Sequence, residues 1–280
     1  MNHPVFPFRQ IGDFQVTALS DGIISASLDL LSGIENVDAR VIQYNAGISE
    51  PGDIHINCYL IRGRGRTILV DTGTGSLSST GGQLKANLEA TGVSTDDVDT
   101  VLLTHCHPDH IGGLLDAEEK PSIKMLKLFC ILSKRNTGGM IKIKTANARG
   151  QSNFRLVRKT LNAYAQSVRF FNESKIAGNI LPVWLPGHTP GHTGFRIDSG
   201  NKCLLIWGDI VHYPHIQSMQ PNVSVVFDFD PAQAEETRKK VLEQAVSEKL
   251  LVAGMHLSRD AFANVLSTGD RYSISYAENE

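Results

Sequence analysis

Apolar and polar residues alternate along residues 14–19, 57–61 and 67–70, with the turn signal Arg62-Gly63-Arg64-Gly65 between the last two. A period of two sends successive side chains to opposite faces, so these stretches predict strands joined by hairpins. The period then changes: Leu84, Leu88 and Ala90 recur at helical spacing up to a stop near Gly92, and residues 98–104 form a short apolar run suited to a buried strand. Residues 155–168 carry Leu156, Thr160, Leu161 and Tyr164 at helical spacing without Gly or Pro and predict another helix. Residues 180–185, 195–197 and 203–207 read as strands. Asp230 and Pro231 have the form of an N-cap and first-turn proline, with Gln233 three residues after the cap, so a helix is expected to run to about Lys249 and a buried strand to follow over 250–255. Between 120 and 172 the pattern is ambiguous. Residues 124–132 fit helix or strand, and Gly138-Gly139 breaks whatever precedes it.

No internal repeat or low-complexity linker divides the chain, and 280 residues suit one α/β unit, so a single domain over 1–280 is expected. Strands first, then alternating helices and strands, predict a sandwich of two sheets covered by helices. A charged fraction of 20% and a net charge of -2 disfavour disorder and general polyanion binding. Residues 1–10 do not have the form of a signal peptide, and no apolar run approaches the roughly 20 residues of a membrane span. Cys58, Cys106, Cys130 and Cys203 form no CxxC pair, which suggests thiols in a cytoplasmic protein. Charge is nevertheless uneven, for residues 120–172 hold 12 Lys and Arg and no Asp or Glu. This atypical basic segment reads most simply as a solvated face or an insertion. The sharper reading, a polyanion-binding patch, is weakened by sparse aromatic interleaving.

The densest chemistry is Thr104-His105-Cys106-His107-Pro108-Asp109-His110-Ile111-Gly112-Gly113, with three imidazoles and a carboxylate within six residues directly after an expected strand. A lone histidine is usually a surface or satisfied core residue, but this cluster has the ligand density of a zinc-type site. Alternation points His105 and His107 the same way and Cys106 away, as a buried thiol, while Asp109 and His110 turn back from the other side. His188, Asp209 and His256 each follow an expected strand, and strand ends at one edge are where loops converge on a site.

With Leu69-Val70-Asp71-Thr72-Gly73, Pro186-Gly187-His188-Thr189-Pro190-Gly191-His192, Gly208-Asp209 and Gly254-Met255-His256-Leu257, the chain resembles the metallo-β-lactamase superfamily. Within it, the chain is most similar to the methyl parathion hydrolase and quorum-quenching lactonase branch. The resemblance implies an α/β fold, a metallo-β-lactamase-like αββα sandwich of two mixed β-sheets flanked by helices. It implies two divalent metal ions, with zinc expected: His105, His107 and His188 on the first, Asp109, His110 and His256 on the second, and Asp209 bridging. His192 and Asp71 would support ligands from behind, although turn capping is the plainer role for Asp71. His212 would bind substrate or donate a proton, or be a solvated loop histidine, the role favoured for His215 and His55.

Two ions would lower the pKa of a shared water to give a hydroxide nucleophile and polarise the scissile group, with Asp109 taking or relaying a proton. His107 stands where diiron flavoproteins carry glutamate, and a bridging Asp209 is unlike true β-lactamases. A small lactone, carboxylic ester or phosphotriester is therefore the expected substrate, with no membrane partner, nucleic acid disfavoured, and a homodimer suggested by the resemblance. Two alternatives stay open: a metal-binding relative with lost or altered catalysis, and a nuclease or anion-binding protein that uses the basic segment. Residues 120–148, basic and without tryptophan, and residues 257–262 depart from the relatives' pattern around the substrate pocket.

Overall fold

A computed structural model describes residues 6–124, 127–130, 148–170, 176 and 180–278. The first sheet contains β1 (Phe8–Ile11), β2 (Phe14–Ser25), β4 (Asp53–Gly63), β5 (Arg66–Val70), β6 (Thr100–Leu102), β7 (Lys127–Cys130) and β8 (Val168–Phe170), in the order β1-β2-β4-β5-β6-β7-β8. Arg64 and Gly65, both at positive φ (50° and 70°), close the β4–β5 hairpin, a backbone twist that matches the flanking strands. From β5 onward the neighbours are parallel, because the chain crosses over between strands instead of turning back. The first crossover carries α2 (Leu84–Ala90), which ends before Gly92 at φ 80°.

The second sheet has the order β15-β14-β13-β11-β10-β9, from β9 (Ile180–Trp184), β10 (Thr193–Ser199), β11 (Lys202–Ile206), β13 (Leu251–Ala253), β14 (Phe262–Thr268) and β15 (Arg271–Tyr276). It is also mixed. β11 and β13 pair in parallel, and the crossover between them carries α6 (Pro231–Ser247). Asp230 caps α6 by accepting a hydrogen bond from the Gln233 N–H, as its sequence predicts. A small annex pairs β3 (Leu31–Ser32) with β12 (Ser224–Val225) beside α1 (Asn36–Asn45) and α5 (Pro214–Met219).

Strand alternation sorts the core into layers. Phe14, Val16, Tyr59, Ile61, Ile68, Val70 and Leu102 face Phe195, Ile197, Leu204, Ile206, Ala253 and Phe262 between the sheets. The intervening Cys58, Leu60, Leu69 and Val101 pack outward on Leu84 and Leu88 of α2 and on Leu156, Val157 and Leu161 of α4 (Ala148–Ala163). On the other flank, Leu205, Trp207 and Val252 pack on Val241, Leu242 and Ala245 of α6. Each large apolar side chain buried in this way contributes about 1.5–3 kcal/mol. The result is the expected αββα arrangement of two mixed sheets flanked by helices.

Within the ambiguous stretch, residues 127–130 form a strand, and the helix expected from residue 155 begins at Ala148 and ends at Ala163. Gly138-Gly139 and residues 131–132 lie outside the described residues, as does much of the basic segment. The chain after His256, noted in the sequence only as a departure, forms the β14–β15 hairpin. Among the described residues no helix is long and apolar enough to cross a membrane, and Cys58, Cys106 and Cys203 are free thiols.

Candidate metal centre

The chain stays extended beyond β6, which sends His105 and His107 to one side and packs Cys106 on the core beneath α2 and α4. Burial pushes the Cys106 thiol up to about 12, far from a reactive thiolate. His107 is then the N-cap of α3 (Pro108–Ile111), whose single turn carries Asp109 and His110 back over the same point. The opposite sheet supplies its residues singly. Asp209 sits in one 3-10 turn after β11, and His256 follows β13; because these strands pair in parallel, their successors emerge at the same edge. Gly208, at φ 60°, makes the first turn possible, since a Cβ there would lie 2.4 Å from His192 Nε2.

Two groups of potential ligands result, His105, His107, His188 and Asp209, and Asp109, His110, Asp209 and His256. In each, one atom per residue lies within 4.8 Å of all the others. His188 Nε2 is 2.9 Å from His107 Nδ1 and 3.2 Å from His105 Nε2, and His105 Nε2 is 2.9 Å from His107 Nδ1. Asp209 Oδ2 lies 3.1 Å from both His110 Nε2 and His256 Nε2, and 3.6 and 3.5 Å from the Nε2 atoms of His105 and His188.

Outer partners decide which nitrogen of each ring points inward. His188 Nδ1 donates to Asp228 Oδ1 at 2.9 Å, and His256 Nδ1 to the His55 carbonyl at 2.7 Å. His110 Nδ1 donates to Asp71 Oδ2 at 2.7 Å. The Thr104 hydroxyl donates to the same carboxylate at 2.6 Å, leaving its oxygen to accept from His105 Nδ1 at 3.1 Å. With their outer nitrogens occupied in this way, the rings aim Nε2 at one another and at Asp109 and Asp209, and in the neutral form of each ring that atom is a lone pair. Such a set needs positive charge at its focus, from protons on His110 and His256 or from metal ions in their place, and Asp209 Oδ1, buried, has no hydrogen-bond partner among the described residues. The donor set therefore fits divalent cations, and neutral imidazole with carboxylate suits zinc chemistry.

Electrostatics separate the groups. Burial pulls the His105 and His107 pKa values below the usual imidazole range and that of His188 to about 3, keeping these rings neutral. Burial acts in the same direction on His110 and His256, but Asp209 and Asp109 outweigh it and raise both. Burial likewise opposes the Asp209 charge, yet His110, His256 and His105 hold its carboxyl well below the usual range. Asp71 adopts φ 56°, a left-handed backbone that costs a non-glycine residue roughly 1–3 kcal/mol and that commonly marks a functional site. There it accepts from the Thr104 N–H at 2.8 Å and hydroxyl at 2.6 Å as well as from His110.

The seven expected ligands thus converge. His192 stands behind them: its Nδ1 donates to the Leu185 carbonyl and its Nε2 accepts the Asp209 N–H at 2.8 Å, so both nitrogens hold backbone. His212 is buried in the site, stacked on His256, with Nε2 3.4 Å from Asp209 Oδ2 and Nδ1 without a partner among the described residues. His215 and His55 are not the solvated loop residues expected. His215 packs on Tyr276 from α5, and half-buried His55 lies in β4, where its carbonyl and not its ring serves the site. Sequence reasoning missed Asp228, since nothing but its place shortly before the α6 cap marks it.

Residues 51–124 match the family model described as metallo-beta-lactamase superfamily. Its structure is similar to AidC, a dizinc quorum-quenching lactonase solved with a product, at 25% identity and TM-score 0.89 over 98% of both chains. It is also similar to the hydrolase AbOPH of the beta lactamase superfamily, at 25% identity and TM-score 0.88 over 99% of both chains. A probable metal-dependent hydrolase from Staphylococcus aureus shares the fold at 18% identity and TM-score 0.76, over 96% of this chain and 100% of that one. Comparison with curated protein sequences gives no match. These neighbours and the His/Asp cluster support a metal-dependent hydrolase.

Proposed function

We propose that this protein is a two-ion hydrolase that opens lactones, with zinc as its ion. One observation carries the reading: two four-residue groups share Asp209, and outer hydrogen bonds turn their imidazole lone pairs inward. His105, His107 and His188 would hold one ion, Asp109, His110 and His256 the other, and Asp209 both. Bound divalent ions supply Lewis acidity and make water a nucleophile near neutral pH. The chain's own groups do the rest. Asp109, with 22% of its side chain exposed against 2% for Asp209, is the more accessible of the two carboxylates and would take a proton during bond cleavage and return it to the leaving oxygen. His212, whose Nε2 lies 3.4 Å from Asp209 Oδ2, would hydrogen-bond the substrate beside Asp209.

A lactone is favoured over an acyclic ester or phosphotriester by the similarity to AidC over nearly the whole of both chains. The test is elemental analysis of the purified protein together with hydrolysis of an acyl-homoserine lactone, an aryl ester and an aryl phosphotriester before and after chelation. About two zinc ions per chain, with chelator-sensitive turnover fastest on the lactone, is the expected result. Faster turnover of either other substrate would reassign the substrate class, and absence of metal after reconstitution would overturn the proposal.

A further inference from the structure

The inward face of α6 carries Ala234, Thr237, Arg238, Val241, Leu242 and Ala245, a largely apolar stripe interrupted by a threonine and by one arginine that is wholly buried. A guanidinium in such a place loses its hydration and persists only if the surroundings return equivalent contacts. Arg238 Nε donates to the Ile210 carbonyl at 2.6 Å, and Nη1 to those of Pro221 and Val223 at 2.7 and 2.9 Å. Its Nη2 lies 3.6 Å from Asp228 Oδ2. Ile210 directly follows Asp209, and Asp228 is the carboxylate that accepts from His188. One side chain therefore touches both the turn that presents Asp209 and the group that orients His188.

We infer that Arg238 is a positioning residue for the centre, setting Asp209 through the Ile210 carbonyl and His188 through Asp228. This rests on the two-ion reading above. The fork matters as much as the charge: Nε and Nη1 hydrogen-bond three carbonyls in fixed directions and set Nη2 at ion-pair distance from a carboxylate, without a hydrogen bond to it, which a lysine ammonium at the end of a flexible stem does not reproduce. Asp228 Oδ2, the oxygen that faces Arg238, also accepts from the Val225 N–H at 3.3 Å, so Oδ1 stays directed at His188. Gln217 reinforces the same loop, its side-chain oxygen accepting from the N–H groups of His212 and Tyr213 and its amide donating to the Val223 carbonyl. The Val223 carbonyl thus accepts from both Arg238 and Gln217, joining the segment after Asp209 to the segment before Asp228.

The experiment titrates cobalt(II) into the metal-free protein and follows visible absorption, which reports ligand number and geometry independently of turnover. The unchanged protein should take up two equivalents; if it takes up none, the two-ion reading fails and the inference with it. Given two equivalents there, Arg238→Lys should weaken at least one of them by about 10–100-fold, the cost of losing a ligand's outer support, and alter the spectrum. Melting of the metal-free variant, followed by circular dichroism, checks that it is folded. Two equivalents bound with unchanged affinity and spectrum, even at a lower melting temperature, would show that Arg238 only packs the fold and would overturn the inference. If Arg238→Lys does not fold, Asp228→Asn reads the same connection. It keeps the side chain's size and removes the charge Arg238 faces, and unaltered cobalt binding there would equally overturn the proposal.

Discussion

The two sheets deliver the proposed ligands to one point by different means. Beyond β6, a single run places His105, His107, Asp109 and His110, and its geometry is local: extended chain, a proline, one helical turn. The other sheet contributes His188, Asp209 and His256 one at a time, from three strand ends far apart in sequence. Four of the proposed ligands thus come from covalent neighbours, whereas three depend on sheet register and on buried hydrogen bonds such as those of Tyr59 and Arg238. The contrast teaches that half of such a centre is encoded by a motif and half by the packing of the whole sandwich.

Asp209→Ala tests the contrast most severely, because it removes the residue both groups share. Loss of both ions by elemental analysis is expected, with turnover falling by more than the roughly 10–100-fold that an outer partner costs. Near-normal turnover with both ions retained would contradict the bridging assignment. Asp71→Asn probes the locally encoded side. It should weaken the ion of the His110 group by about 10–100-fold in a chelator competition and the other by less, since Asp71 reaches His105 only through the Thr104 hydroxyl. Equal weakening of both would mean that the two groups are not separable.

Tyr59→Phe probes the side built by packing and should have the smallest effect on activity. The buried Tyr59 hydroxyl lies 2.8 and 2.9 Å from the Gly254 and Ala261 carbonyls and accepts the Gly254 N–H at 2.9 Å, tying β4 to the strand that leads to His256. Losing it leaves buried backbone groups unpaired and should cost about 1–3 kcal/mol, read as a lower urea midpoint of the metal-free protein. An unchanged midpoint would remove Tyr59 from the ties that place His256.

Much of this was legible in the chain itself. Alternation over residues 57–61 and 67–70 marks β4 and β5, the Arg64-Gly65 turn marks their hairpin, and Asp230-Pro231 with Gln233 marks the start of α6. The run from His105 to His110 announces metal chemistry because so many ligands in so few residues have no other common use. The β14–β15 hairpin was harder to read, since its two strands bury only Phe262, Ala263, Val265 and Ile274 and so carry little apolar signal.

By itself, then, the sequence determined the local elements: strand and helix periods, turn and cap residues, and a ligand-dense segment whose geometry follows from bonds between neighbours. Only the tertiary structure decided that Asp228 faces His188, that the His55 carbonyl and not its ring serves His256, that His192 spends both nitrogens on backbone, and that Arg238 lies beneath Asp209. The reason is physical. A side chain's partner across the sandwich is set by the register of parallel β11 and β13 and by the docking of α6 between them in sequence, and neither leaves a periodic trace in the residues that meet.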